Sequence, residues 1–198
     1  LIEVNVEQHE YRYAGPPSIR HTTNRDRQRF RVAGDSDLRN LLENLAGDPH
    51  LRGVFTITYV IDRQAELWIA DRRSEHFDCA AGGRVLAAGE IGFDVLSTPI
   101  AIAEITNQST GYCPEPGCWR NVAAVLDRLR IPHPPCFTSA FEFRRCDACG
   151  ATNLIKEELF ECALCGAALS RSWNFYLFQK LRCRVSRRGH RPTVACRK

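Results

Sequence analysis

Ile2, Val4 and Val6 alternate with polar neighbours, which predicts a strand over residues 2–7. Residues 14–29 combine Gly15, Pro16 and Pro17 with many charges and read as a loop. Asp35 and Ser36 then offer an N-cap, and Leu38, Leu41, Leu42 and Leu45 follow at i, i+3, i+4 and i+7. That spacing puts one apolar stripe on a helix that Gly47 and Pro49 end. From residue 53 to 70 the pattern changes to period two. Phe55, Ile57, Tyr59 and Ile61 face one way and Val54, Thr56, Thr58 and Val60 the other. Asp62-Arg63-Gln64 turns the chain, and Leu67-Trp68-Ile69 brings it back as a hairpin. Val85–Phe93 and Ile100–Ile105 are two further strands. Trp119, Val122, Val125, Leu126 and Leu129 mark a second helix, which the Pro132-His133-Pro134-Pro135 run ends. Phe141 and Phe143 sit on a last strand.

The sum is an α+β body with a small mixed sheet and two helices. No apolar run approaches the roughly 18 residues of a membrane span, so a membrane role is not expected. Residues 1–30 hold no apolar signal core, which points to a cytoplasmic protein. The net charge of +4 conceals an asymmetry. Residues 180–198 carry eight basic side chains and no acids, leaving 19 basic against 23 acidic residues in the rest of the chain. Such a basic tail (175–198) either stays solvated or binds nucleic acid by releasing counterions.

The ten cysteines change the picture most. Four fall into two tight pairs, Cys146-Asp147-Ala148-Cys149-Gly150 and Cys162-Ala163-Leu164-Cys165-Gly166, with twelve residues between Cys149 and Cys162. A CxxC turn lets two thiolates converge on one ion, and the following glycine lets the chain curl back. Two such turns joined by a short hairpin supply the four ligands that zinc takes in a tetrahedron, at about 2.3 Å from each sulfur. The segment Thr152–Glu161 is long enough for two short strands. The expectation is a zinc ribbon over 141–174, appended to a body over 1–140, with one structural Zn2+ on Cys146, Cys149, Cys162 and Cys165. Four protein ligands leave no open position, so the metal is structural. Its hairpin carries Lys156 against Glu157, Glu158 and Glu161, which favours contact with protein over nucleic acid.

A second candidate region lies between Ser74 and Cys113. Glu75 and His76 precede Gly82-Gly83. Ala87-Ala88-Gly89-Glu90 follows, and then the polar run Asn107-Gln108-Ser109-Thr110-Gly111-Tyr112-Cys113-Pro114 between a strand and a helix. Strand ends ahead of a helix gather ligand groups in α/β architectures. His76, Glu90 and Tyr112 are therefore candidate catalytic groups, with Glu75, Asn107, Gln108, Ser109 and Thr110 as candidate binding groups. The alternative is that these side chains only satisfy turns and backbone groups.

His76, Ala87–Glu90 and Asn107–Pro114, followed by the two cysteine pairs, resemble an uncharacterised bacterial family. In that family an α+β module precedes a C-terminal zinc ribbon. The module is also similar to one in plant proteins bearing calmodulin-binding IQ motifs. The resemblance spans about residues 53–174. It implies the fold boundary and carries no activity with it.

Two sharper chemistries stay open at this point. Cys113, Cys118, His133 and Cys136 are the right types for a second zinc. His76 with Asp78, and Cys113 with Cys118, follow the coarse order of a zinc deaminase. The acid is one methylene short, and the cysteines stand four residues apart instead of two. The sequence thus supports a zinc-ribbon binding or adaptor protein engaging a macromolecule, most simply another protein. The alternative is a small nucleotide- or nucleobase-directed enzyme, such as a toxin or defence effector, working through the His76, Glu90 and Asn107–Tyr112 region.

Overall fold

The computed structural model describes residues 9–21, 28–34 and 38–175. The expected strand at 2–7, the Asp35-Ser36 cap and the basic tail beyond Phe175 lie outside them. In chain order the elements are α1 (Pro17–His21), β1 (Arg29–Val32), α2 (Leu38–Ala46), β2 (Val54–Asp62), β3 (Leu67–Ala70), α3 (His76–Cys79), β4 (Val85–Asp94) and β5 (Ala101–Ile105). A 3-10 turn (Pro116–Cys118) leads into α4 (Trp119–Leu129), and β6 (Glu142–Arg145) and β7 (Thr152–Ile155) complete the set.

The fold is α+β. Five strands form one sheet in the order β1-β3-β2-β4-β5, with every ladder antiparallel, and β6 and β7 form a separate two-stranded sheet. Central β2 is buried at five consecutive positions, Ile57 to Ile61, so protein covers both of its faces. The hairpin turn between β2 and β3 is closed by Asp62, whose Oδ1 accepts the N–H groups of Gln64 and Glu66 at 2.9 Å each.

Both long helices arise from the spacing that predicts them. Leu38 and Leu42 are fully buried on α2. On α4, Val122, Val125, Leu126 and Leu129 form the buried stripe, and the helix packs on β4 and β2. Arg130 ends α4 in the left-handed conformation at φ 58°, its N–H donating back to Asp127 O. Several short elements depart from the sequence reading, among them α3 and the 3-10 turn. The 14–29 loop contains α1, which starts at Pro17, because proline is preset for the first helical position and loses no hydrogen bond there. β1 emerges from the same charged stretch because β3 needs a neighbour: Arg29–Val32 pairs with Ala70–Leu67.

β4 and β5 meet where a glycine is required. A Cβ on Gly89 would stand 2.0 Å from Thr106 O, so only glycine lets the Thr106–Asn107 backbone cross β4. Tyr59 Oη donates to that same Thr106 O at 2.9 Å. The outer edge of β5 is closed by the chain after α4: Ile102 N–H donates to Pro132 O, and Thr138 N–H to Ile105 O. Among the described residues no helix is long and apolar enough to cross a membrane.

Candidate metal centre

Cys146, Cys149, Cys162 and Cys165 converge, with all four sulfurs within 4.8 Å of one another, and they form a group that could hold a metal ion. Each pair sits on a tight turn closed by its own backbone. Gly150 N–H donates to Cys146 O and Gly166 N–H to Cys162 O, with the glycines at φ 78° and 71°. A side chain at either glycine would be strained, which is why the CxxCG pattern carries one at each. Between the pairs, one strand (β7) forms, and the second expected strand shrinks to a bridge between Glu161 and Ala168.

The sulfur spacing separates two chemistries. Cys146 Sγ lies 3.6 Å from Cys165 Sγ, and Cys149 Sγ lies 3.7 Å from Cys162 Sγ. A disulfide needs about 2.05 Å. The edge of a tetrahedron with metal–sulfur bonds of about 2.3 Å is about 3.8 Å. All four cysteines are free.

Their electrostatics favour a cation. The backbone N–H of Cys149 pulls the Cys146 thiol down, and the N–H of Cys165 pulls Cys162 down to about 6. At Cys165 the Ala167 N–H also pulls down. The hydrogen bonds with Cys149 and Cys146 outweigh it and push this thiol up to about 12, so the crowded set retains a proton. A divalent ion would displace it. Asn153 supports the second turn in a way the sequence does not advertise. Its Oδ1 accepts Ala163 N–H at 3.0 Å, and its Nδ2 points at Cys162 Sγ at 3.6 Å.

The ribbon is joined to the body by two struts. β6 delivers Phe143 to the main core. After the second turn the chain returns: Arg144 donates to Ser170 O at 3.1 Å and to Arg171 O at 2.8 Å. Asn174 accepts Arg145 N–H at 2.9 Å and donates to Arg145 O at 2.7 Å. Trp173 and Phe175 are buried in the body's core.

The polar run proposed as a ligand site is where these struts attach. Asn107 is fully buried, its Nδ2 donating to Pro114 O at 2.9 Å and Phe141 O at 2.8 Å. Cys113, left-handed at φ 49°, presents its carbonyl to Trp173 Nε1–H at 2.7 Å. Ser109 is buried and accepts Tyr112 N–H, while Gln108 and Thr110 are exposed.

The three candidate catalytic groups are each engaged separately. Tyr112 is buried, its hydroxyl donates to Gly83 O at 2.7 Å, and burial raises its pKa. His76 Nε2 lies 3.0 Å from Gly89 O, and burial pushes this imidazole below its usual value. Glu90 pairs with Arg72 at 3.2 Å, so its carboxylate is not held by His76. Glu75 is exposed and starts α3 without a side-chain cap.

The second zinc site is not assembled: among the described residues only the four ribbon cysteines gather as a possible metal-holding group. Cys113 Sγ donates to Thr110 O, Cys118 is buried, Cys136 is exposed, and His133 lies 3.2 Å from Asp127 Oδ1. The deaminase-like set of His76, Asp78, Cys113 and Cys118 is not gathered either. Comparison with models of known families, with characterised proteins and with solved structures finds no match. A cavity of about 410 Å3 opens beside the ribbon strut between Tyr11, Glu115, Arg120, Glu142 and Arg144; Cys118 lines it, and His76, Glu90, Tyr112 and the 107–110 run do not.

Proposed function

We propose that this chain is a zinc protein in which one Zn2+ on Cys146, Cys149, Cys162 and Cys165 is structural, and that the ribbon so formed presents a surface to a protein partner. Sulfur spacings of 3.6 and 3.7 Å, close to a tetrathiolate edge, carry the metal part of the reading. With four thiolates the ion has no vacant position, so its binding energy serves folding. The partner part rests on the surface. Leu159 and Leu164 are 64% and 76% exposed, among the few large apolar side chains left in water in the described residues; Leu159 follows exposed Glu157 and Glu158 in the chain, and Leu164 follows exposed Glu161 by three residues. Carboxylates around exposed leucines suit a polypeptide better than a phosphate backbone. The separate engagement of His76, Glu90 and Tyr112 favours binding over catalysis in the body.

Elemental analysis of the purified protein tests the core of this proposal. One zinc per chain is the expected result. Iron in its place, two zinc ions, or none with the thiols titrating as disulfides would overturn it.

A further inference from the structure

We infer that metal occupancy of the ribbon is transmitted to the body, latching shut the 107–114 loop and shielding the Cys113 thiol. This rests on the metal reading above and concerns what the metal controls. The latch has two contacts on the loop, one from each strut. The chain entering the ribbon is held by Asn107, which takes both backbone groups of Phe141. The chain leaving it is held by Trp173 Nε1–H on Cys113 O. Both struts depend on the knuckles. A two-stranded sheet such as β6-β7 is marginal in water by itself, and cysteine-ligated modules of this size fold with their ion. Without the metal, the Asn174–Arg145 and Arg144–Ser170 anchors lose the hairpin that aligns them.

Loss of the struts strips buried polar groups of their partners. Asn107 Oδ1 and the Cys113 carbonyl would face the core unsatisfied, so the loop opens to water instead. Cys113 reports this opening. Its side chain is fully buried, and its Sγ donates to Thr110 O inside the same loop. Burial also raises its pKa, which keeps it inert while the loop is closed. Cys79 is an internal control. It is equally buried, but at the C-terminal end of α3, with Sγ donating to Trp68 O.

The test uses the full chain. Metal is first quantified, then removed with a chelator, and N-ethylmaleimide modification is followed by peptide mass spectrometry. Cys113 should react at least tenfold faster after metal removal, while Cys79 keeps its rate. Trp173→Phe, which keeps the ring and deletes the donor, should raise Cys113 reactivity with the metal still bound. Cys113 remaining shielded after verified metal release would overturn the latch and leave the metal reading standing. Cys79 accelerating equally would mean global unfolding and also overturn it. Absence of metal at the outset would overturn both.

Discussion

The side-chain amide of Asn107 grips both backbone groups of Phe141, 34 residues further on. Phe141 N–H donates to Oδ1 at 2.7 Å, and Nδ2 donates to Phe141 O at 2.8 Å. Asparagine is a side chain that offers a donor and an acceptor in the geometry of a peptide group. Asn107→Ala leaves buried backbone groups unpaired and should cost about 3 kcal/mol in urea unfolding. Asn107→Asp should cost at least as much, because a carboxylate would face the carbonyls of Phe141 and Pro114.

Gly89→Ala should destabilise by about 3 kcal/mol, since the new methyl would stand 2.0 Å from Thr106 O and 2.8 Å from Thr106 C. Neither is the end of a flexible side chain. Gly117→Ala, with nothing within 4 Å, is the matched control and should stay within about 0.5 kcal/mol. Thermal melts of the two variants side by side would check both.

Glu157 and Glu158 occupy the two central positions of a turn closed by Leu159 N–H on Lys156 O at 2.9 Å, with φ of 51° and 57°. Two positive φ values in succession are a type I′ turn, which asparagine and glycine adopt at lower cost. The double variant Glu157→Asn, Glu158→Gly should gain about 1 kcal/mol of stability by calorimetry. A loss would mean that the carboxylates make contacts worth more than the turn strain.

Metal retention should fall in acid. The Cys165 N–H holds Cys162 down to about 6, well below an ordinary thiol. A depressed acid stabilises the folded state fully above its unfolded pKa, and that contribution is lost as pH falls through the folded value. Protons then compete with the ion for the same sulfurs. Release into a chromogenic chelator should therefore rise as pH falls, and Cys162→Ser should release the ion at neutral pH.

His76 should add a second acid-sensitive step. Burial lowers its pKa, against weaker upward pulls from Gly89 O and Glu90. The unfolded chain then binds this proton first, so stability present above pH 6.5 is lost as pH falls toward the folded value. His76→Gln can still donate to Gly89 O but cannot titrate. Denaturant midpoints should show a shallower decline from pH 7 to pH 5 for this variant than for the parent protein.

What could be read from the chain depended on how local its cause was. The stripe of Leu38 and Leu42, the Tyr59–Ile69 hairpin and the CxxCG turns have causes within a few residues, and all three appear in the structure. The polar run at 107–114 misleads for the opposite reason. Buried Asn107 and Ser109 look like ligand groups because their residue types are right, but their partners are backbone groups. For Asn107, a side chain's chemistry is legible in sequence; the partner it meets 34 residues away is not. β1 was not legible because Arg29–Val32, although it alternates charged and apolar residues, is only four residues long, too short a period to stand out without its pairing with β3.

The ends of the five-stranded ladder are finished differently, and this bears on self-association. On the β5 side, Pro132 and Thr138 already occupy the hydrogen-bonding positions that a foreign strand would seek. On the β1 side the template is four residues long, with Arg29 stacked over Trp68 and Arg31 paired with Glu66. A short rim bearing cations is a poor seed for edge-to-edge growth. Concentrated protein should thus resist fibril formation through this sheet.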